Sequence, residues 1–171
     1  LGEYKNRLVG TLGDCASFSF QSSKHLSSGE GGIILTNDHK LADSIRRVQS
    51  LGYAGVGAKQ AKITKSDIQK PDYSRHISMG WNYRMPELCC AVALAQTERI
   101  DELVDIRMQS AKVFEEATAE FHNWFKPQFV GKNYKHSYWT WVCKNIHHSA
   151  SWNEIRDTFI SNGGDGVYGA W

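Results

Sequence analysis

The segment between residues 15 and 36 constrains the fold of this chain more than any other. Residues 15–20 alternate small and aromatic side chains, and residues 32–36 form an apolar run that Asn37 and Asp38 follow. Alternation and short apolar runs bounded by turn residues are typical of β-strands. The residues between the two runs are rich in serine and glycine. The sequence therefore predicts two short strands joined by a polar loop.

Helical patterns follow the second strand. Asp38 is suited to cap a helix whose apolar residues recur every three or four positions up to Val48. A second helix is predicted from Met85, and a third, more exposed one from Glu98 to about Phe121. The third pattern is long enough to link two domains.

The chain changes character after Trp124. Residues 137–143 predict an aromatic-rich strand, and residues 166–168 predict the start of another. Between them, residues 151–161 predict a helix capped at Ser149 or Ser151. These elements indicate part of a smaller α/β unit.

Composition excludes several classes of protein. Hydrophobic residues make up 41% and charged residues 22% of the 171 positions, which excludes a disordered or low-complexity chain. A formal net charge of +2 is too small to require a nucleic acid or an anionic membrane. No apolar run approaches the roughly 20 residues of a membrane span. We therefore expect neither a nucleic acid nor a membrane as a partner.

The cysteines have no CxxC spacing; they are Cys15, Cys89, Cys90 and Cys143. Neither a zinc site nor a thioredoxin-type site is therefore expected, and the sequence predicts no metal. Their apolar neighbours predict free, buried and inert thiols. Free thiols are typical of a reducing compartment, so we expect a cytoplasmic protein.

The loop between the two strands holds the residues that could carry chemistry. Lys24 is surrounded by serine hydroxyls and apolar groups, and a partly desolvated lysine favours the amine form that attacks carbonyl carbons. The hydroxyls are potential donors to phosphate oxygens, and glycines allow a close approach of the backbone to a ligand. Composition alone is more typical of a solvated turn, and the glycine spacing matches no nucleotide-binding fingerprint.

The order of several motifs is more specific. The chain resembles the DegT/DnrJ/EryC1/StrS family of pyridoxal-phosphate (PLP) sugar aminotransferases in the segments 9–14, 17–20, Lys24, 29–36 and 82–88. Its helix after residue 88 also matches the family pattern, at Ala91, Ala93, Leu94, Gln96, Glu98, Arg99 and Ile100. Segments 136–139 and 164–168 look like small-domain segments of some members. The resemblance therefore runs from about residue 4 to the end.

The resemblance implies a partial fold-type I PLP-dependent transferase of the α/β class. Residues 1–122 would form the C-terminal half of the PLP-binding large domain with its linking helix, and residues 123–171 part of the small C-terminal domain. Lys24 matches the lysine that attaches the cofactor and shuttles the proton. Ser19 matches the serine that donates to the cofactor phosphate. Asn82 matches the asparagine that reaches the phosphate from a neighbouring subunit, which implies a homodimer.

The resemblance also implies a reaction. An amino group would pass from glutamate or glutamine to a keto sugar, which would be nucleotide-linked. The family's carboxylate opposite the pyridinium nitrogen lies upstream of the segment that matches Leu1, so we expect this fragment alone to show negligible transamination. The sequence does not name the sugar.

Three further residues could have either a structural or a functional role. Gln21 either borders the sugar pocket or packs locally, and His25 is expected to be structural or solvent-facing. Arg84 is expected to form an ion pair with Glu87 rather than to meet a substrate phosphate.

Other readings remain. A sugar dehydratase of the same family is one, although that branch typically carries histidine in place of Lys24. Cyclitol and aminohydroxybenzoate aminotransferases keep the lysine. A non-enzymatic module for single-stranded nucleic acid is suggested by an aromatic and basic run, which comprises Tyr134, Lys135, His136, Tyr138, Trp139, Trp141 and Lys144. The two faces of a half-buried strand explain that run more simply.

Overall fold

The computed structural model describes residues 1–57 and 63–169. The strands are β1 (Glu3–Tyr4), β2 (Arg7–Leu8), β3 (Cys15–Ser19), β4 (Gly32–Thr36), β5 (Phe125–Pro127), β6 (Tyr134–Lys135) and β7 (Cys143–Asn145). The helices are α1 (His39–Gln49), α2 (Lys65–Ile68), α3 (Glu87–Glu98), α4 (Ile100–Ala119) and α5 (Trp152–Ser161). Each helix predicted from the sequence is present, and α2 is an additional one.

Strands β3 and β4 confirm the central prediction. They pair antiparallel, from Cys15 opposite Thr36 to Ser19 opposite Gly32. This register places the end of β3 and the start of β4 at the same edge, so the intervening loop emerges directly beside Ser19. Helix α1 follows and lies against β4.

Local capping explains where two helices begin. The Asp38 carboxylate accepts hydrogen bonds from the backbone N–H of Lys40 (2.8 Å) and Leu41 (3.2 Å), which satisfies donors that the first turn of α1 leaves unpaired. At α5, Ser151 and Glu154 form a reciprocal capping box. Ser151, rather than Ser149, is therefore the cap of the last helix.

A small sheet brings the start of the chain to its second half. Its order is β2-β1-β6, with Glu3 opposite Lys135 and Tyr4 opposite Tyr134. The sheet therefore joins strands on both sides of the domain boundary that the sequence suggests at residue 122, and that boundary stays a prediction.

The predicted strand over residues 137–143 is wrong in most of its length. Only Cys143 belongs to a strand, β7, which pairs with β5. Tyr138 has a φ of +49°, a left-handed conformation that interrupts an extended strand. The carbonyls of Ser137 and Trp139 bind side chains far away in the sequence. Residues 166–168 are not a strand either, because they pair with no other strand among the described residues.

Burial is sparse in the described part of the chain. The buried apolar side chains there are Phe20, Ala93, Val104 and Ala111. The predicted burial of the cysteines is wrong for Cys15 and Cys90, which are exposed, while Cys89 and Cys143 are half-buried. All four thiols are free. No helix in the described ranges is long and apolar enough to cross a membrane.

Candidate active site

The loop over residues 20–31, here the lysine loop, is closed at its base by backbone hydrogen bonds. The N–H of Phe20 donates to the carbonyl of Gly31, and the N–H of Ser28 donates to the carbonyl of Phe20, both at 2.9 Å. Phe20 is 8% exposed, so its ring anchors the loop in the core. The loop is therefore a defined structure held on the edge of the β3–β4 pair.

Most serines of the lysine loop serve the loop itself. The Gln21 amide donates to the Ser22 hydroxyl at 2.7 Å and accepts from the Ser23 hydroxyl at 2.7 Å. The Ser28 hydroxyl donates to the Glu30 carbonyl, and the Ser27 hydroxyl accepts from the Gly29 N–H. Gln21 thus has the packing role that was one of its two predicted alternatives. The sequence suggested that these hydroxyls could donate to a phosphate, but in the structure they form hydrogen bonds that stabilise the turns of the loop.

Ser19 stands apart from that network. It is exposed at the last position of β3, and its hydroxyl oxygen accepts a 3.2 Å hydrogen bond from the N–H of Gln21. Within the described residues the hydroxyl hydrogen has no hydrogen-bond acceptor, so it is available to a ligand. Ser19 thus lies at the base of the lysine loop, five positions before Lys24.

Lys24 is half-buried at the tip of the lysine loop. Its N–H donates to the Gln21 carbonyl at 3.0 Å, which forms a turn. The Nζ atom lies 4.1 Å from the centroid of the Trp139 ring, within the range of a cation–π contact. Among the described residues no carboxylate lies within 4 Å of this amine.

Residues 136–139, here the clamp segment, form hydrogen bonds with the lysine loop. The Trp139 indole N–H donates to the Ser23 carbonyl at 2.8 Å. The His25 Nε2 atom lies 2.8 Å from the Ser137 carbonyl, so His25 has the structural role expected of it. On the far side, Arg107 of α4 donates to the Trp139 carbonyl at 3.0 Å.

The electrostatics of this contact follow from burial. Desolvation lowers the pKa of His25, and the positive charge of Arg107 adds to the effect, while the Ser137 carbonyl opposes it. Desolvation also raises the pKa of Tyr138, whose hydroxyl donates to the Glu115 carboxylate at 2.9 Å. The same tyrosine's N–H donates to His136 Nδ1 at 3.0 Å. Tyr138 is thus held at both ends in its left-handed conformation.

Sequence reasoning missed the contact of Trp139 with the lysine loop and that of Arg107 with Trp139. The aromatic run that contains Trp139 is evident in the sequence, but Ser23 lies 116 positions and Arg107 lies 32 positions from Trp139. Two of its aromatic residues pack within the chain, since Trp139 faces Lys24 and Trp141 stacks on Phe114 with centroids 5.3 Å apart. These contacts disfavour an exposed stacking platform for nucleic acid.

Asn82 lies elsewhere, next to the end of α1. It forms an isolated β-bridge with Ser50, and its side-chain oxygen accepts a 2.9 Å hydrogen bond from Arg84 Nε. Arg84 therefore turns to Asn82 rather than to Glu87, and the predicted ion pair is wrong. Asn82 is exposed, so it is accessible to another molecule.

An apolar groove of about 860 Å³ lies on the face of β3 and β4 beside α1. The groove is lined in part by Phe18, Ile34, Leu41, Val48 and Met85. The groove includes none of Lys24, Ser19 and Asn82, and its polar lining residues, such as Glu30 and Arg84, lie among a mostly apolar surface. No group of three or more potential metal ligands occurs in the described ranges.

Gly31 joins the lysine loop to this groove. Its φ is +131°, and a Cβ there would lie 2.7 Å from the Met85 side chain. The absence of a side chain at Gly31 therefore allows the Met85 side chain to approach the backbone closely.

Comparison with known proteins identifies the family. The model of the DegT/DnrJ/EryC1/StrS aminotransferase family matches residues 2–163. The chain belongs to this family. The resemblance inferred from the motifs is therefore confirmed over nearly the whole chain, which also accounts for the order of its helices and strands.

Two curated relatives illustrate the similarity. The chain is 31% identical over 140 residues to GDP-perosamine synthase of Escherichia coli O157:H7, which is 80% of this chain and 33% of that protein. It is 32% identical over 139 residues to the spore coat polysaccharide biosynthesis protein SpsC of Bacillus subtilis strain 168, which is 81% of this chain and 34% of that protein. The chain thus spans about a third of the length of the curated relatives it matches.

Solved structures confirm the fold. The Escherichia coli GDP-4-keto-6-deoxy-D-mannose-3-dehydratase with bound hydrated PLP superposes with a TM-score of 0.75 at 21% identity, covering 94% of this chain and 41% of that one. An aminotransferase from Psychrobacter cryohalolentis gives a TM-score of 0.74 at 23% identity, covering 94% and 41%. The chain therefore has the partial α/β transferase fold that the motifs predicted.

Proposed function

We propose that this chain is the lysine-bearing part of a PLP-dependent aminotransferase that passes an amino group from glutamate or glutamine to a nucleotide-linked keto sugar. The observation that carries the proposal is Lys24, a half-buried amine without a carboxylate partner in the described residues, on the loop that links β3 to β4. Family membership and the similarity to GDP-perosamine synthase support the amino transfer and the sugar.

The donor set of the lysine loop fits a phosphorylated aldehyde. A lysine amine can form a bond with an aldehyde carbon, and in the described residues no carboxylate pairs with Lys24 Nζ. The Ser19 hydroxyl, exposed at the end of β3, has a hydrogen to donate to a phosphate oxygen. The other loop hydroxyls already form the turn, so they keep Lys24 and Ser19 in place.

Each residue has one task in this proposal. Lys24 Nζ would hold the cofactor covalently and would carry the proton between the substrate carbon and the cofactor. Ser19 Oγ would donate to the cofactor phosphate. PLP, when bound, supplies the electron sink for the reaction. The remaining polar groups of the lysine loop have no chemical role in this proposal, and they stabilise the conformation of the loop.

Asn82 acts across a dimer in this proposal. It lies beside Ser50 rather than on the lysine loop, and it is exposed. A second copy of the protein would present Asn82 to the phosphate bound near Ser19. The fixed hydrogen bond with Arg84 would orient the amide for that contact.

The free thiols favour the cytoplasm as the site of action.

Covalent trapping tests the proposal. The full-length enzyme that contains this chain is incubated with pyridoxal phosphate and reduced with borohydride, and the pyridoxyl group is located by peptide mass mapping. We expect the label on Lys24, and we expect Lys24→Arg to remove it while Lys40→Arg, an exposed lysine of α1, leaves it unchanged. A label concentrated on another lysine overturns the assignment of Lys24.

The acceptor is tested separately. In the full-length dimeric enzyme that contains this chain, glutamate or glutamine and a nucleotide-linked keto sugar should give an amino sugar, whereas the chain alone should show negligible transamination. Release of water from the sugar without amino transfer would favour the dehydratase reading. Lys24 favours amino transfer, because the dehydratase branch that the chain resembles typically carries histidine at this position.

A further inference from the structure

Trp139 makes two different contacts with the lysine loop. Its indole N–H donates to the Ser23 carbonyl at 2.8 Å, and its ring lies 4.1 Å from Lys24 Nζ, measured to the centroid. One contact fixes the backbone directly before Lys24, and the other fixes the end of its side chain. A lysine side chain has four rotatable bonds, so restraint at both ends decides where the amine lies.

The clamp segment is itself held in place. Arg107 donates to the Trp139 carbonyl at 3.0 Å, and Tyr138 is restrained through Glu115 and His136. Tyr138 keeps a φ of +49°. Such a conformation is unfavourable for a tyrosine and persists only where neighbouring contacts over-determine it. The backbone is thus strained at the residue that precedes Trp139, where it sets the direction of the ring.

We propose that Trp139 is the positioning residue of the Lys24 amine, a role that links the clamp segment to the lysine loop. The ring covers one side of the amine, and the indole N–H holds the turn that carries it. This inference rests on the proposed function, since it gives a task to a residue that acts through Lys24. It requires no ligand to be present, so it can be tested on the protein alone.

The first measurement is the position of the amine relative to the ring. All lysines are converted to [13C]dimethyl-lysine, which keeps their positive charge, and their methyl signals are recorded by NMR with Lys24→Arg as the assignment control. An amine over an indole face experiences its ring current. We expect the Lys24 methyl signal upfield of the other lysine signals, unshifted in Trp139→Leu and partly shifted in Trp139→Phe.

Trp141→Leu is the matched control. Trp141 is a half-buried tryptophan two positions further on, but it stacks on Phe114 instead of meeting Lys24. Its replacement should leave the Lys24 signal upfield. A Lys24 signal that is unshifted in the wild-type protein, or unaffected by Trp139→Leu, overturns the proposal. If Trp139→Leu does not fold, the wild-type shift and Trp139→Phe still decide.

The second measurement is the protection of the amine. A cation–π contact is disrupted when the amine attacks an acylating reagent, and the ring blocks one direction of approach. At fixed pH, Trp139→Leu should increase the acylation rate of Lys24 about two- to fivefold, with no change in Trp141→Leu. Equal rates in the wild-type protein and Trp139→Leu overturn the positioning role.

The two proposals fail in different ways. An upfield Lys24 signal that Trp139→Leu abolishes, without a pyridoxyl label on Lys24, supports the positioning role and overturns the proposed function. A pyridoxyl label on Lys24 without a ring-current shift supports the proposed function and overturns the positioning role of Trp139.

Discussion

The lysine loop with its clamp segment and the apolar groove beside α1 are built in opposite ways. The first is a half-buried polar contact in which named hydrogen bonds of 2.8 to 3.0 Å satisfy the backbone on both sides. The second is lined by apolar side chains that stay partly exposed, such as Ile34 at 46% and Val48 at 44%. Residues far apart in the chain thus complete a polar site, while the nearby sheet face remains uncovered in this structure.

The difference bears on where stability resides. Directional contacts fix geometry but add only about 0.5 to 1.5 kcal/mol each on balance, whereas burial of apolar side chains supplies most of the folding energy. In the lysine loop, the ring of Phe20 provides that burial beneath the polar contacts. In the groove, comparable side chains are only partly removed from water.

The largest expected effect comes from the core residue under the lysine loop. Phe20→Ala should lower the free energy of unfolding by about 3 kcal/mol, because a nearly buried ring leaves a cavity. Ile34→Ala in the groove should lower it by only about 1 kcal/mol, because that side chain is almost half exposed. Urea unfolding of the two variants measures the difference. Equal losses would contradict the contrast between the two regions.

A smaller effect is expected at the far side of the clamp segment. Arg107→Met removes the charged donor from the Trp139 carbonyl and should lower the free energy of unfolding by about 1 to 2 kcal/mol. Lys112→Met is the control on the same helix, since its pair with Glu116 is solvent-exposed, and we expect a change within about 0.5 kcal/mol. Thermal unfolding of both variants distinguishes them. A neutral Arg107→Met would show that the clamp segment needs no support from α4.

The smallest expected effect is a pH dependence at His25. Burial lowers its pKa in the folded protein, so the unfolded chain takes up the proton first as the pH falls below about 6.5. The contribution of neutral His25 is therefore present above that pH and is lost on acidification. The facing positive groups, Arg107 and His136, act in the same direction, whereas the hydrogen bond to the Ser137 carbonyl raises the pKa of His25.

Replacing the imidazole tests that dependence. His25→Gln keeps a donor for the Ser137 carbonyl but does not titrate. We expect the free energy of unfolding to fall less between pH 7.5 and pH 5.5 in His25→Gln than in the wild-type protein, measured by urea unfolding at each pH. Parallel curves for the two proteins would mean that His25 is not the group responsible.

Local signals explain what the sequence predicted correctly. Alternation over residues 15–20 gave β3, and the apolar run over residues 32–36 gave β4. Asp38 and Ser151 marked the starts of α1 and α5, because a cap acts within three residues of its own position. The family motifs added Lys24, Ser19 and Asn82, whose roles stay predictions.

The failures lie where distant residues decide the local structure. The aromatic run at residues 137–142 has strong strand propensity, yet its carbonyls bind His25 and Arg107, and Tyr138 turns left-handed. The cysteines have apolar neighbours in the sequence, yet Cys15 lies on an exposed strand. Neighbours along the chain thus do not determine burial or pairing in the folded protein.

The separation of 116 residues between Ser23 and Trp139 has a consequence for synthesis. At roughly 5 to 20 residues per second, a ribosome needs about 6 to 23 seconds to proceed from one to the other. Lys24 therefore emerges from the ribosome before Trp139 has been synthesised. Until Trp139 is added, the Lys24 amine of the nascent loop is accessible to metabolites and chaperones. The order of translation therefore makes the clamp segment the last component of this site to arrive.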